Sequence, residues 1–236
     1  MGIVLRKSLI SLLTVLAAAV GYSQSRVSAD VEVKTLYQGQ VKTVTKRVFC
    51  NGNGRVVTVF TTPSESYVIS NLKGEMKMYL PETKEVFSDR KEEFSTRDEL
   101  LYIFLAGRSA DLGLSGLGYK LQSSVFEEGG FLKRTYVTSK AGSVPKVEVV
   151  LKDSLPVYVA YLDGSGAVVS KTYLSGYDYS APFVFPSRVT GIDYTKDRDS
   201  TVTRTIYSRV STDSDDPLFG FEVPSDAIPV KKSVKK

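Results

Sequence analysis

From Asp30 onward the apolar residues of this chain recur at every second position, and Gly, Asn, Asp or Pro interrupts them at short intervals. Side chains alternate between the two faces of a strand, so this rhythm predicts half-buried strands joined by tight connections. Residues 41–50 and 56–62 flank Asn51-Gly52-Asn53-Gly54, which tolerates positive φ and so marks a hairpin. Residues 119–126 and 131–138 flank Glu128-Gly129-Gly130 in the same way. The longest strands are expected over 183–194 and 200–212, with a short final one over 219–223. The fold class is therefore mainly β, with about eleven strands in one antiparallel barrel or strongly curved sheet. A single domain over residues 24–230 accommodates it.

Only one segment reads clearly as helix. Thr96-Arg97-Asp98-Glu99 has the form of a capping box, with Thr96 as N-cap and Glu99 reaching back to its amide. Leu100, Leu101, Tyr102, Ile103, Phe104 and Leu105 follow, and Gly107 is a suitable stop. Apolar residues in unbroken succession cover almost the whole circumference of such a helix, so it must be buried on several sides or must cover something apolar. Either it plugs the sheet and completes the core, or it is a lid over an apolar cavity.

The two ends carry separate signals. Arg6 and Lys7, then the apolar run 9–20, then Gly21-Tyr22-Ser23 have the order of an export signal, expected to be cleaved after about residue 23. The run holds 12 residues, whereas a membrane-spanning helix needs roughly 20. No cysteine follows it directly, so no lipid anchor is expected, and Cys50, beside Val48-Phe49, reads as a buried thiol. The formal charge of +5 is concentrated at the ends, in Arg6, Lys7 and a tail over 231–236 that contains Lys231, Lys232, Lys235 and Lys236. The body between them is close to neutral, unlike a nucleic-acid binder, whose folded surface is basic. The tail is expected to be a solvated end.

Histidine is absent and cysteine occurs once, which excludes Ser-His-Asp and Cys-His catalysis, His/Cys zinc sites and an internal disulfide. The pairs Glu92-Glu93 and Glu127-Glu128 adjoin turn signals and read as solvated surface rather than acid–base machinery. Asp213, Asp215 and Asp216 lack the ordered ligand pattern of a calcium loop. No enzyme activity, cofactor or metal is expected.

Several motifs, in order, resemble the periplasmic lipoprotein carriers, the LolA-like or outer-membrane lipoprotein-sorting family. Tyr67-Val68-Ile69-Ser70-Asn71-Leu72-Lys73-Gly74-Glu75-Met76-Lys77-Met78-Tyr79-Leu80-Pro81 is similar to a hairpin of that family. Asp98 to Gly107 sits where the family has an apolar internal helix. Phe183-Val184-Phe185-Pro186 and the stretch from Phe219 to Val230 resemble its Phe-Pro and closing strands. The chain departs from the family in reading as strand almost from Arg26, without a leading amphipathic helix, and in lacking tryptophan. Arg55 does not clearly match the arginine with which such carriers hold their lid.

The resemblance implies an unclosed antiparallel barrel of about eleven strands with an apolar helix over its concave face. It also implies a soluble periplasmic carrier that holds the acyl chains of lipoproteins or lipids and moves them toward the outer membrane. Its partners would be acylated lipoproteins or lipids, an inner-membrane donor and an outer-membrane acceptor, with no nucleic acid, and the chain would act as a monomer. The alternative is a periplasmic sensor or adaptor that uses the same fold to bind an envelope protein or a mislocalised lipoprotein, through residues 211–216 or the lysine tail. On the carrier reading, Val57, Val59, Ile69, Met76 and Met78 line the concavity, and Leu100, Leu101, Ile103 and Phe104 form its cover, with plain core packing the alternative for each. Val202, Ile206 and Val210 should then face inward, leaving Thr201, Thr203, Thr205 and Arg209 on the convex side.

Overall fold

The computed structural model describes residues 26–195, 199–212 and 215–230, so the expected export signal over residues 1–23 and the tail over 231–236 lie outside the described residues. The chain opens as two long paired strands, β1 (Arg26–Tyr37) and β2 (Gln40–Asn51). A meander continues through β3 (Val56–Thr62), β4 (Ser66–Ser70), β5 (Glu75–Leu80) and β6 (Glu85–Arg90). After a connection that contains helix α1 (Leu100–Leu105), a second meander runs through β7 (Lys120–Glu127), β8 (Phe131–Val137), β9 (Lys146–Lys152) and β10 (Leu155–Leu162). It ends with β11 (Val168–Tyr177), β12 (Pro186–Tyr194) and β13 (Ser200–Ser211), and a two-residue strand, β14 (Ile228–Pro229), follows near the C-terminus.

All fourteen strands form one unclosed sheet, in the order β14-β6-β5-β4-β3-β2-β1-β13-β12-β11-β10-β9-β8-β7. That is three more than the expected eleven. Pairing of β1 with β13 joins the two meanders, and among the described residues only the β14–β6 pair is parallel. The β6–β7 connection therefore starts near one edge of the sheet and ends at the other. A flat sheet would separate those strands by roughly 55–60 Å at about 4.8 Å per strand. Instead the sheet curls around the connection. Glu92, just past β6, and Lys140, in the β8–β9 loop, form an exposed ion pair at 3.7 Å although their strands lie near opposite edges.

Cross-strand partners in an antiparallel pair share a face, so the register assigns each side chain. Val27, Cys50 and Val56 are successive partners on the concave face, as are Ala29 and Val48 one step along. Helix α1 seats Leu101, Ile103 and Phe104 against this row, together with Phe185 from the segment before β12. Farther along the same face, Leu114 packs onto Tyr136, Val147, Val149, Leu151 and Val159. The connection thus fills the hollow at two places.

The helix ends as expected and starts differently. Gly107 adopts φ +67°, donating to the Phe104 carbonyl while Arg108 donates to that of Ile103, which is a Schellman stop. At the N-terminus Thr96 is not the cap. Its hydroxyl donates to the Gly54 carbonyl at 2.6 Å, and Ser95 caps a separate short turn, so the helix begins after Glu99. The hydrogen bond from Thr96 to the β2–β3 turn outcompetes the local capping box and ties the connection to the sheet.

Two other expectations are corrected. Residues 219–223 form no strand: Pro217–Gly220 is a 3-10 turn, capped by the Asp216 carboxylate, which accepts from Leu218 N at 2.9 Å. On β13, Thr203 and Thr205 pair with Thr35 and Val33 and so lie on the concave side, which puts Val202 and Ile206 on the convex one. A bulge at Arg209, with φ +49°, shifts the phase, so that Tyr207 and Val210 both join the concave core.

Leu101 is wholly buried and Phe219 nearly so, so truncation to alanine should cost about 2–5 kcal/mol for Leu101 and about 3–5 kcal/mol for Phe219. Urea unfolding monitored by circular dichroism measures both, and a loss below about 1 kcal/mol at Leu101 would contradict this packing.

Candidate functional site

Between the two places where the connection fills the hollow, the concave face is left uncovered by side chains. A cavity of about 450 Å³ lies there, within the roughly 300–1,000 Å³ typical of small-molecule sites. Its roof is the connection, through Leu100 and Ile103 of α1 and through Leu112 and Leu117 of the following turns. Its floor is the sheet, through Val159, Leu174, Val189 and Tyr207. The register explains why these four converge: Leu174 is opposite Val189, Val189 opposite Thr205, and Val159 opposite Thr172.

Tyr161, Thr172 and two acidic residues, Asp98 and Glu99, complete the lining. Loss of water around the Asp98 carboxyl pushes its pKa upward, against the pull of the Arg108 and Arg97 guanidinium groups. The Tyr207 hydroxyl is pushed up as well, first by burial and then by the charge of Glu99. It therefore stays protonated and neutral at any physiological pH. The result is an apolar chamber with an acidic side at the start of the helix.

The residues expected from sequence to line the concavity fall in different places. Val57, Val59 and Ile69 are buried on the opposite, convex face, where they pack with Phe49 under Phe219. The alternation of side chains along a strand decides this: Val56 faces the helix, so its neighbour Val57 cannot. Met76 and Met78 do share the concave side, as partners of Ser70 and Val68, but neither lines the cavity. Met76 and the edge of Ile69 border a larger depression of about 980 Å³ near the β4–β5 turn. Its wall sets Ile69, Leu72 and Met76 beside charged residues, including Arg55, Lys73, Glu75 and Arg90, so hydrocarbon there would lie against charge.

The expected cover residues also divide. Leu100 and Ile103 face the cavity, whereas Leu101 and Phe104 are anchors in the core, Phe104 packing edge-on to Phe185 at 5.0 Å between centroids. Arg55 does not hold the helix. It donates to the Phe221 carbonyl and pairs with Glu222 at 3.0 Å, pinning the C-terminal segment over the convex face. Phe221 stacks on Tyr67 at 4.5 Å, and the Asn51 amide donates to the Phe219 carbonyl at 3.1 Å. Floor residues from β10 to β13 escape sequence reasoning. Their signal is present in the alternation of Val159 with Ala160 and of Leu174 with Tyr173, but which phase faces inward requires the register.

Among the described residues, no group of three or more His, Cys, Asp or Glu side chains is arranged to hold a metal ion. Cys50 is buried in the core beneath α1, with its thiol pKa pushed up mainly by burial and secondarily by Glu99.

Fold and cavity together define an unclosed, curved sheet with a partly open, largely apolar cavity beneath its crossover connection. This is the LolA-like fold. A LolA superfamily protein from Nitrosomonas europaea matches with a TM-score of 0.55 at 13% identity, over 82% of this chain and 88% of that one. A protein domain from Vibrio parahaemolyticus described as outer membrane lipoprotein-sorting matches with 0.55 at 15% identity, over 82% and 89%. A DUF1329 family protein from Desulfovibrio piger matches with 0.56 at 16% identity, over 84% and 90%. No protein-family model and no curated protein matches the sequence.

Burial predicts that Cys50 resists thiol reagents in the folded protein and reacts fully in denaturant. Labelling with a chromogenic disulfide measures this, and rapid labelling of the native chain would contradict the placement of Cys50 under the helix.

Proposed function

We propose that this chain is a non-catalytic carrier of the cell envelope that shelters the acyl chain of a lipoprotein or lipid and moves it toward the outer membrane. The observation that supports this reading is the apolar chamber between the crossover connection and the concave sheet. Each methylene exposed to water costs about 0.8 kcal/mol, so a chain of ordinary length crosses an aqueous space only inside dry walls. Leu100, Ile103, Leu174 and Val189 supply such walls. The lipoprotein-sorting description of the Vibrio parahaemolyticus neighbour fits the same role. An inner-membrane donor and an outer-membrane acceptor would load and unload the chamber.

The anchoring of Leu101 and Phe104 shapes the mechanism. Both stay in the core, so the whole helix need not leave for a chain to enter. Leu100, Leu112 and Leu117 lie on the chamber side of the same connection and are only half-buried. Their rearrangement would widen the chamber while the anchors hold. An adaptor role through residues 211–216 is less well supported, because Asp216 is already engaged with Arg47 at 2.9 Å and caps the turn that carries Phe219.

Fluorescent fatty-acid titration tests the proposal. Wild-type protein should bind, and Val189→Glu or Leu100→Glu should weaken binding by about tenfold or more, because a carboxylate in the chamber must be desolvated against hydrocarbon. Val57→Ala, on the other face, should lower stability and leave affinity unchanged. No binding by the wild-type chain, or equal binding by all three variants, would contradict the carrier role.

A further inference from the structure

The sheet has two edges, and the chain treats them differently. At one, β14 lays Ile228 and Pro229 along β6, with Ile228 N donating to Lys84 O at 2.8 Å and Val230 N to Val86 O at 2.9 Å. Pro229 has no N–H, so the outer side of this cap lacks a donor and is a poor template for another strand. At the other edge β7 lies open. All eight of its residues are exposed, including Leu121, Val125 and Phe126, the last of these 79% exposed.

We propose that β7 pairs with β7 of a second copy, in antiparallel fashion, to form a dimer with one continuous sheet. The strand is complementary to itself. Register with β8 places a bulge between Leu121 and Ser123. With Gln122 taken as the extra residue, Lys120, Ser123, Val125 and Glu127 share one face, and Leu121, Ser124 and Phe126 share the other. A two-fold axis through Ser124 and perpendicular to the sheet keeps faces together. It sets Lys120 opposite Glu127 of the partner subunit, Leu121 opposite Phe126 of the partner subunit, and Ser123 opposite Val125 of the partner subunit. Opposite charges meet at both ends, where Glu127, already paired with Lys133 of its own chain at 2.8 Å, would be shared with Lys120 of the partner subunit, and the apolar pair meets on the concave side, where the 79% exposed Phe126 ring becomes covered. Of these, the opposite-charge pairs are of a type that stabilises antiparallel sheets, and the Leu121–Phe126 pairs bury apolar surface.

One strand from each copy makes a small interface, below the roughly 1,200–2,000 Å² of stable complexes, so the dimer is weak and depends on concentration. The proposal differs from the monomer that the family resemblance implies, and it is independent of what the cavity holds.

Sedimentation velocity of the mature chain across the micromolar range, without lipid, tests the proposal. The wild-type protein should shift from monomer to dimer as concentration rises. Lys120→Glu or Glu127→Lys alone places like charges together at both ends and should weaken association about tenfold. The double variant Lys120→Glu/Glu127→Lys restores opposite charges and should return it to within about threefold of wild type. Ser124→Cys should oxidise readily to a disulfide-linked dimer, because directly opposed antiparallel residues lie about 4.5–5.5 Å apart, within disulfide range. A monomer at every concentration, or single charge variants that associate as wild type does, would overturn the proposal. Failure of the double variant to recover would overturn this register.

Discussion

The fold depends on the burial of the crossover connection in the hollow of the sheet. A curved sheet of fourteen strands with nothing on its concave side would expose Val27, Val31, Val48, Val147 and Val149 to water. The 29 residues between β6 and β7 prevent this by sending Leu101 and Phe104 into one part of the hollow and Leu114 into another. Each such side chain contributes about 1.5–3 kcal/mol through burial. Because the connection must also travel from one edge to the other, its attachment and the curl of the sheet stabilise each other. Thr96, bonded to the Gly54 carbonyl, fixes where the path starts.

The chamber follows from the same arrangement. Two plugs separated along one segment leave a gap between them, and most side chains around that gap are apolar because plugs and floor belong to the core, with Asp98 and Glu99 at one side. A binding site here requires no special motif, only a shortfall in filling. The convex face shows the opposite solution. There the C-terminal segment closes tightly, with Phe219 edge-on to Phe49 at 5.3 Å and Arg55 bound to its backbone.

The strands are legible in the sequence because period-two alternation and glycine-rich turns are local signals, and the helix is legible because an apolar run ending at Gly107 has few other fates. Face assignment is not. Val56, Val57 and Val59 are all buried because β3 is covered on both sides, so alternation there carries no information about which side is concave. The cover of the convex face gives a false strand signal: Phe219, Phe221 and Val223 alternate like a strand, although Pro217 and Pro224 bracket them and break the ladder. On β13 the bulge at Arg209 reverses the phase within one strand, and nothing in the local composition announces it. Long-range partners decide all three cases, and one sequence does not contain them in readable form.

The claim that hydrocarbon occupies the space under the connection is tested most directly by paramagnetic broadening of methyl resonances with a spin-labelled fatty acid. Occupancy of the chamber requires that Leu100, Ile103, Leu174 and Val189 broaden at substoichiometric label while Val57, Val59 and Ile69 stay sharp. Uniform sharpness in the first group, or broadening confined to the second, would show that the guest binds elsewhere and that the chamber is not the site.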